Sequence, residues 1–372
     1  MKLCEICNIN MGQSPDSSLY NEEQIGMPFY QGNADFGEIH PKARVWCTKP
    51  TKIAKSGDIL LSVRAPIGAL NIANEDCCIG RGLAAITADS NKCSKKYLWY
   101  ALESKKDELI SKGTGSTFKA ISKNVLFDTE ISYVPLDEQI LIEQNLDKIA
   151  QLINNRKKQL DLLSNLVASR FIEMFGDPFV NNKRWKVQKI ADVITEVRYG
   201  TSRPAVDGGK YPYLRMNNLT NDGHLDISNL KYIDIPDNEI DKCVVHKGDI
   251  LFNRTNSIEL VGKTAVFDLD EDMVIAGYII RIRLKPCLLP EIVSQYMNLP
   301  PVKELLRSMA KGAVNQANIN AQELQSIHIY VPDIKLQNKF VEFKHRIDKS
   351  KYLATLYMKL LKNERMMFCD QL

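Results

Sequence analysis

Gly262, Lys263 and Thr264 end the string VGKT, the tail of a loop whose backbone N–H groups cradle phosphates. That loop needs a glycine five residues earlier, and the position holds Ser257, so the motif is incomplete. Methyl transfer to a base amino group calls for Asn or Asp followed by Pro-Pro and an aromatic residue. LPPV at 299–302 and GDPF at 176–179 both fall short. GRG at 80–82 lacks the third glycine and the following helix pattern of a dinucleotide loop. A metal-dependent nuclease would carry Pro-Asp and Glu-x-Lys on strands. Pro332-Asp333 and Glu342-Phe343-Lys344 have the letters but lie on or beside a heptad helix. Cys4 and Cys7 form half a zinc knuckle with no second half, since Cys77 and Cys78 are adjacent and the rest are scattered. The nine cysteines are an odd number in a large chain with no export signal, so reduced structural thiols are expected. We therefore expect no catalytic residue and no metal ligand.

The loops instead offer adaptable polar groups. KGTGSTFKAIS (112–122) carries Lys112, Thr114, Ser116, Thr117 and Lys119. VRYGTSRP (197–204) sets Arg198 and Arg203 around Tyr199 and Thr201. LRMNNL supplies Arg215 and Asn217, and FNRTNS supplies Arg254 and Asn256. Gln13 and Ser14 follow Gly12, Arg64 and Arg81 follow apolar runs, and KGAVNQ contributes Lys311, Asn315 and Gln316. Arg matches the major-groove edge of guanine, and Asn or Gln that of adenine. Lys, Ser and Thr fix a protein on phosphates. Any one of these residues reads equally as a solvated loop, but together they point to a nucleic acid. The net charge of +4 permits a polyanionic partner without demanding one.

What positions these groups is a duplicated fold. GDILLSVRAPIG (57–68) returns as GDILFNRTNSIELVG (248–262). In the same order, PFYQGNADFG (28–37) matches PYLRMNNLTNDG (212–223), GTGSTFKAISKNVL (113–126) matches GAVNQANINAQELQ (312–325), and EISYVPLDEQ (130–139) matches IHIYVPDIKLQ (327–337). Offsets drifting from 184 to 199 are what loop insertions produce, and the unit of repetition is a whole domain. The chain of 372 residues suits two or three domains. With no stretch near the ~20 apolar residues of a membrane span, it reads as soluble and cytoplasmic.

After each YVP lie 40 residues without Gly or Pro, from Leu136 to Phe175 and from Asp333 to Leu372. Pro135 and Gly176 punctuate the first as helix ends do. Leu146, Ile149, Ile153, Leu160, Leu163, Val167 and Met174 recur at threes and fours, interrupted by Arg156 and Arg170. Leu336, Phe340, Phe343, Ile347, Ala354, Tyr357, Leu361 and Phe368 do the same. A mean spacing of 3.5 is a coiled-coil seam, and helices about 60 Å long would bury it cheaply against one another. Such a pair would also hold the flanking globules a fixed distance apart. The expected order is a globule at 1–135, a helix at 136–175, a linker at 176–184, a globule at 185–332 and a helix at 333–372.

These strings, with LDLLSNLVASRFIEMFGDP, resemble the specificity subunit of type I restriction-modification systems across essentially the whole chain. The resemblance implies an α+β fold: two strand-rich target recognition domains separated by helices that pair as an antiparallel coiled coil. It implies that each domain reads one half of a bipartite double-stranded DNA target and that the helices hold methyltransferase (modification) subunits. A restriction (helicase-nuclease) subunit would complete the complex. No cofactor is expected on this chain, S-adenosylmethionine belonging to the methyltransferase. VPDIKLQNKF departs from the family's usual Glu-Gln form. The competing readings are an adaptor joining two protein-binding globules, and a self-sufficient nuclease or methyltransferase.

Overall fold

The structure is a computed structural model that describes residues 1–115, 119–313, 316–369 and 372. It divides into two compact units, Met1–Lys157 with Thr355–Leu372, and Lys158–Ala354. Each unit carries the same antiparallel sheet. In the first the order is Cys7–Met11, Leu83–Ala88, Ile59–Ser62, Leu70–Ile72. In the second it is Ile194–Tyr199, Ile279–Leu284, Ile250–Asn253, Thr264–Val266. A second sheet of shorter strands accompanies each, five strands in the first unit and four in the second, with one parallel pairing, Phe29 opposite Cys78 and Tyr213 opposite Val274.

The repeated GDIL has a physical cause. Gly57 and Gly248 sit at φ of 90° and 95°, where a side chain would be strained. The next residue, Asp58 or Asp249, is buried and closes the turn. Asp58 Oδ2 accepts the Lys55 backbone N–H at 2.7 Å, and Asp249 Oδ2 that of His246 at 2.9 Å. The apolar residues then form the central strand, buried at every position in both units. GDIL is scaffold in each copy.

The same duplication explains the altered second VP motif. Gln139 is fully buried; its Nε2 donates to Lys92 O and Val134 O, and its Oε1 accepts from Ser94 N. Gln337, equally buried, donates to Cys287 O and Pro332 O and accepts from Leu289 N. Ser94 and Leu289 precede the helices Lys95–Ser104 and Pro290–Met297. Each glutamine thus ties the start of a long helix to the start of a domain helix, and the departed motif keeps this tie. We expect Gln337→Ala to destabilise the second unit by about 1–3 kcal/mol, because three backbone groups, one of them in a fully buried bond, lose their partner. Urea unfolding of the full chain measures it, and an unchanged midpoint would refute this role.

The long helices run over Leu136–Phe175 and Ile334–Cys369, close to the expected spans. In the first unit they pack through Ile149, Ile153, Met358 and Leu361, and the Arg156 guanidinium covers the Tyr357 ring at 5.0 Å. In the second unit Val167, Phe171 and Phe175 join Phe340, with Leu336, Phe343 and Ile347 against the same core. Within each unit the first helix rises as the second descends. Leu146 enters the first unit's globular core instead of a two-helix seam, while Leu160 and Leu163 are only half-buried. Two seam expectations are corrected. Tyr357 and Phe368 are exposed at 42% and 39%, and their places are taken by half-buried Met358 and buried Cys369. The stripe of a helix with 3.6 residues per turn drifts from a strict seven-residue repeat by about 20° per heptad, which carries it onto the next residue.

Candidate nucleic-acid interface

In the second unit Tyr211–Leu214 leaves the shorter-stranded sheet into a single turn at Met216–Asn218. Buried Asn218 fixes this exit: Oδ1 accepts the Arg215 N–H and Nδ2 donates to Asp226 O, both at 2.8 Å. In the first unit Asp35 does the same work, its Oδ2 accepting from Gln31 N at 2.7 Å and Gly32 N at 3.3 Å. Each exit borders a cleft.

The second unit's cleft, about 560 Å³, is lined by Thr201, Arg203, Arg215, Asn217, Arg254 and Tyr278, with Met216 and other small or apolar neighbours. It therefore gathers five of the residues singled out in the sequence. Its three guanidiniums differ. Arg203 spends its fork on Glu239, through bonds of 3.0 and 2.7 Å. Arg254 lies 4.9 Å over the Tyr199 ring and donates to Gly277 O at 3.3 Å. The Tyr199 hydroxyl accepts from Ala321 N at 2.9 Å, which holds that ring in place. Arg215 makes no ion pair within 4.0 Å among the described residues. The Nε atoms of both Arg215 and Arg254 are buried without a hydrogen-bond partner. Spare planar donors in such a cleft suit a pair of acceptors presented edge-on.

The first unit's cleft, about 670 Å³, has a different chemistry. Glu22, Gln31, Asn33, Asp35 and Arg44 line it, and Arg44 is tied to Asp35 at 2.6 Å. Amides and carboxylates match adenine and the cytosine amino group rather than guanine.

Beside each cleft a hairpin pairs with the residue following the GDIL strand. Ala120 pairs with both Thr114 and Arg64, and Ala65 N donates to Lys119 O, so Arg64, Thr114 and Lys119 meet as an exposed cluster. In the second unit Gln316–Asn318 lies between Lys311–Ala313 and Thr255–Asn256. Ile121 N bonds Val63 O as Ile319 N bonds Arg254 O. This aligns Ala120 with Asn318, one residue from the match of Gly113 to Gly312, and keeps Arg254 opposite Val63 as in the matched GDIL strings.

The other candidates are dispersed. Ser14 Oγ accepts from Arg81 N at 3.3 Å next to Gln13, with the Gln13 and Arg81 side chains exposed. Lys112 pairs with Glu108, Arg198 with Glu196 and Lys311 with Glu323, all from exposed positions. Asn256 turns inward, donating to Asn253 Oδ1 and accepting from Ser257 N. Gln316 is exposed on its hairpin strand. Ser116, Thr117 and Asn315 lie outside the described residues. Sequence reasoning missed Tyr278, 51% exposed in the second cleft, and Gln31, Asn33 and Arg44 in the first. Tyr278 was detectable only by aligning the copies, where Gly82 stands opposite it. Among the described residues no cluster of His, Cys, Asp or Glu could hold a metal ion, and no helix is long and apolar enough to cross a membrane.

Two copies of one mixed sheet fold, each with a polar cleft and hairpin and each built on part of a long helix pair, define a duplicated α+β protein. The chain belongs to the type I restriction modification DNA specificity domain family, whose profile matches residues 1–162 and 182–357. The type I restriction enzyme EcoKI specificity subunit of Escherichia coli K12 is 24% identical over 254 residues, which cover 63% of this chain and 54% of that protein. The MjaIX specificity subunit of Methanocaldococcus jannaschii is 30% identical over 189 residues, covering 45% and 43%. The matches span about half the length of these curated relatives, or less. A solved S subunit from M. genitalium shares the fold over 100% of this chain and 94% of its own, with a TM-score of 0.52 at 15% identity.

Proposed function

We propose that this chain is the DNA-reading subunit of a type I restriction-modification complex, each unit contacting one half of a bipartite double-stranded target. The observation that carries this reading is the pairing of one scaffold with two unlike clefts: arginine-rich in the second unit, amide- and carboxylate-rich in the first. A duplicated enzyme would repeat its site; a reader of two different sequences repeats the scaffold and changes the lining. The chain then needs no catalytic centre of its own, and S-adenosylmethionine binds the partner methyltransferase. The long helices offer it a surface: in the first unit Leu141, Leu152, Leu356 and Leu360 stay 40–59% exposed, and in the second Leu162, Leu166 and Leu353 stay 47–67% exposed. Isolated residues of this kind need no explanation, whereas rows along helices mark an interaction face. The restriction subunit joins the same cytoplasmic assembly.

Selection of randomised duplex DNA by the full chain tests the proposal, with affinity measured over a salt series. The expected result is a motif in two separated halves and a steep fall of log K with log salt, by about 0.9 per phosphate contact. Salt-insensitive or absent DNA binding would favour the adaptor reading. Methyl transfer or cleavage by the pure chain would overturn the non-catalytic assignment.

A further inference from the structure

Outside the cleft, the second unit holds a cluster of cations with no carboxylate in ion-pair contact among the described residues. Lys263, Lys303 and Arg307 line one cavity of about 280 Å³ together with Asn298. Gly262, at φ of 81°, makes the turn that presses this region onto the helix Pro300–Met309; a Cβ there would meet Leu306 Cδ1 at 2.7 Å. The turn also supplies the anchor for Lys303, whose Nζ donates to Gly262 O at 2.6 Å. Lys263, only 7% exposed, donates from Nζ to Met216 O at 2.8 Å. An ammonium carries three N–H donors, so one bond to a carbonyl leaves each lysine with donors to spare.

Among the described residues no carboxylate comes within 4.0 Å of any of the three cations. Glu259 and Glu304 also line the cavity, but both are exposed to solvent. Burial, reinforced by the Arg307 and Lys263 charges, pushes the Lys303 ammonium down to about 7, and burial lowers Lys263 as well. Like charges gathered out of water destabilise a fold unless something of opposite sign completes them. The last feature is an acceptor. Asn298 spends Nδ2 on Thr264 O and Ser294 O, while its Oδ1 is buried with no donor.

We propose that this cavity binds a phosphate group, whose oxygens take the spare donors of Lys263, Lys303 and Arg307. A phosphate that keeps one proton donates it to Asn298 Oδ1, which favours free phosphate or a phosphomonoester over a backbone diester. The site is separate from the arginine cleft, although Met216 touches both through its carbonyl and its side of the turn.

Titration calorimetry of the full chain with inorganic phosphate, at constant ionic strength held by chloride, tests it against Lys303→Met and Arg307→Ala. Arg307 is exposed, so its variant folds even if Lys303→Met does not. The expected result is saturable phosphate binding that weakens at least tenfold in each variant. A second arm measures duplex DNA of several unrelated sequences over a salt series. If the wild type ignores phosphate but Arg307→Ala weakens all duplexes alike and lowers the log-log salt slope by about 1, the cations contact a DNA diester, which has no proton for Asn298 Oδ1, and the site for free phosphate or a phosphomonoester is overturned. Identical behaviour of wild type and variants in both arms overturns the proposal.

Discussion

Replacing Phe340 by alanine is expected to destabilise the second unit by about 3–5 kcal/mol, the range for deleting a fully buried aromatic side chain. Phe340 has no exposed surface, and its ring lies 5.1 Å from Phe171 and 5.6 Å from Phe175 in edge-on geometries. The substitution removes these ring pairs as well as the buried area. It also opens a cavity among Phe171, Phe175 and Phe343, where the two long helices meet the second unit's core. Trp185 reports on this place, because its Nε1 donates to Phe175 O at 2.9 Å. Urea unfolding followed by Trp185 fluorescence, in a background with Trp46 and Trp99 changed to Phe, isolates the second unit. Phe368→Ala is the control, followed by Trp99 fluorescence in a background with Trp46 and Trp185 changed to Phe because it lies in the first unit: it is on the same helix but exposed, and should shift stability by no more than about 0.5 kcal/mol. Equal losses in the two variants would mean that the strict seven-residue seam is correct and the drifting stripe is not.

That contrast marks how far the sequence could be read. The long helices were legible because Pro135 and Gly176 end a run without breakers, and the duplication was legible because GDIL encodes a backbone turn that only glycine and a capping aspartate make well. The facing residues were less so. Counting by seven from Val167 passes over Phe171 and lands on Met174, which is half-buried beside fully buried Phe171 and Phe175. Period alone fixes which side of a helix is apolar, not which residue of a neighbouring pair meets the core. In the candidate interface, residue types predicted chemistry but not company. Arg203 and Arg254 look alike in the chain, yet one is clamped by Glu239, 36 residues away, and the other retains a free donor. Asn256 has the right amide for a base edge and spends it on Asn253 and Ser257. Such pairings follow from tertiary placement. The asymmetry of the two clefts emerged only when Gln31 and Arg215, or Gly82 and Tyr278, came to occupy equivalent positions.

Arg254 and Arg215 are accordingly the substitutions expected to change what the protein reads. Their buried Nε atoms lack partners, and they share a cleft with the amide of Asn217. If the cleft receives a base edge, each can offer two parallel donors, the arrangement matched by guanine O6 and N7. Arg254→Ala should then lose about 1–3 kcal/mol of discrimination at one position of one half-site, roughly 5- to 150-fold at 1.4 kcal/mol per tenfold. The other half-site should keep its sequence, because its cleft and hairpin are made only of residues from the first unit. Arg203→Ala should have a smaller effect, since its donors are already engaged by Glu239. Arg64→Ala and Lys119→Ala should act only on the first half. A phosphate contact would behave differently, weakening every sequence alike and reducing the salt slope by about 1. Selection on randomised duplexes, repeated for each variant, separates these outcomes position by position. Relaxation of both half-sites by Arg254→Ala alone would be incompatible with two independent clefts. A uniform loss across sequences would place Arg254 on the backbone and leave Arg215 as the base reader of the cleft.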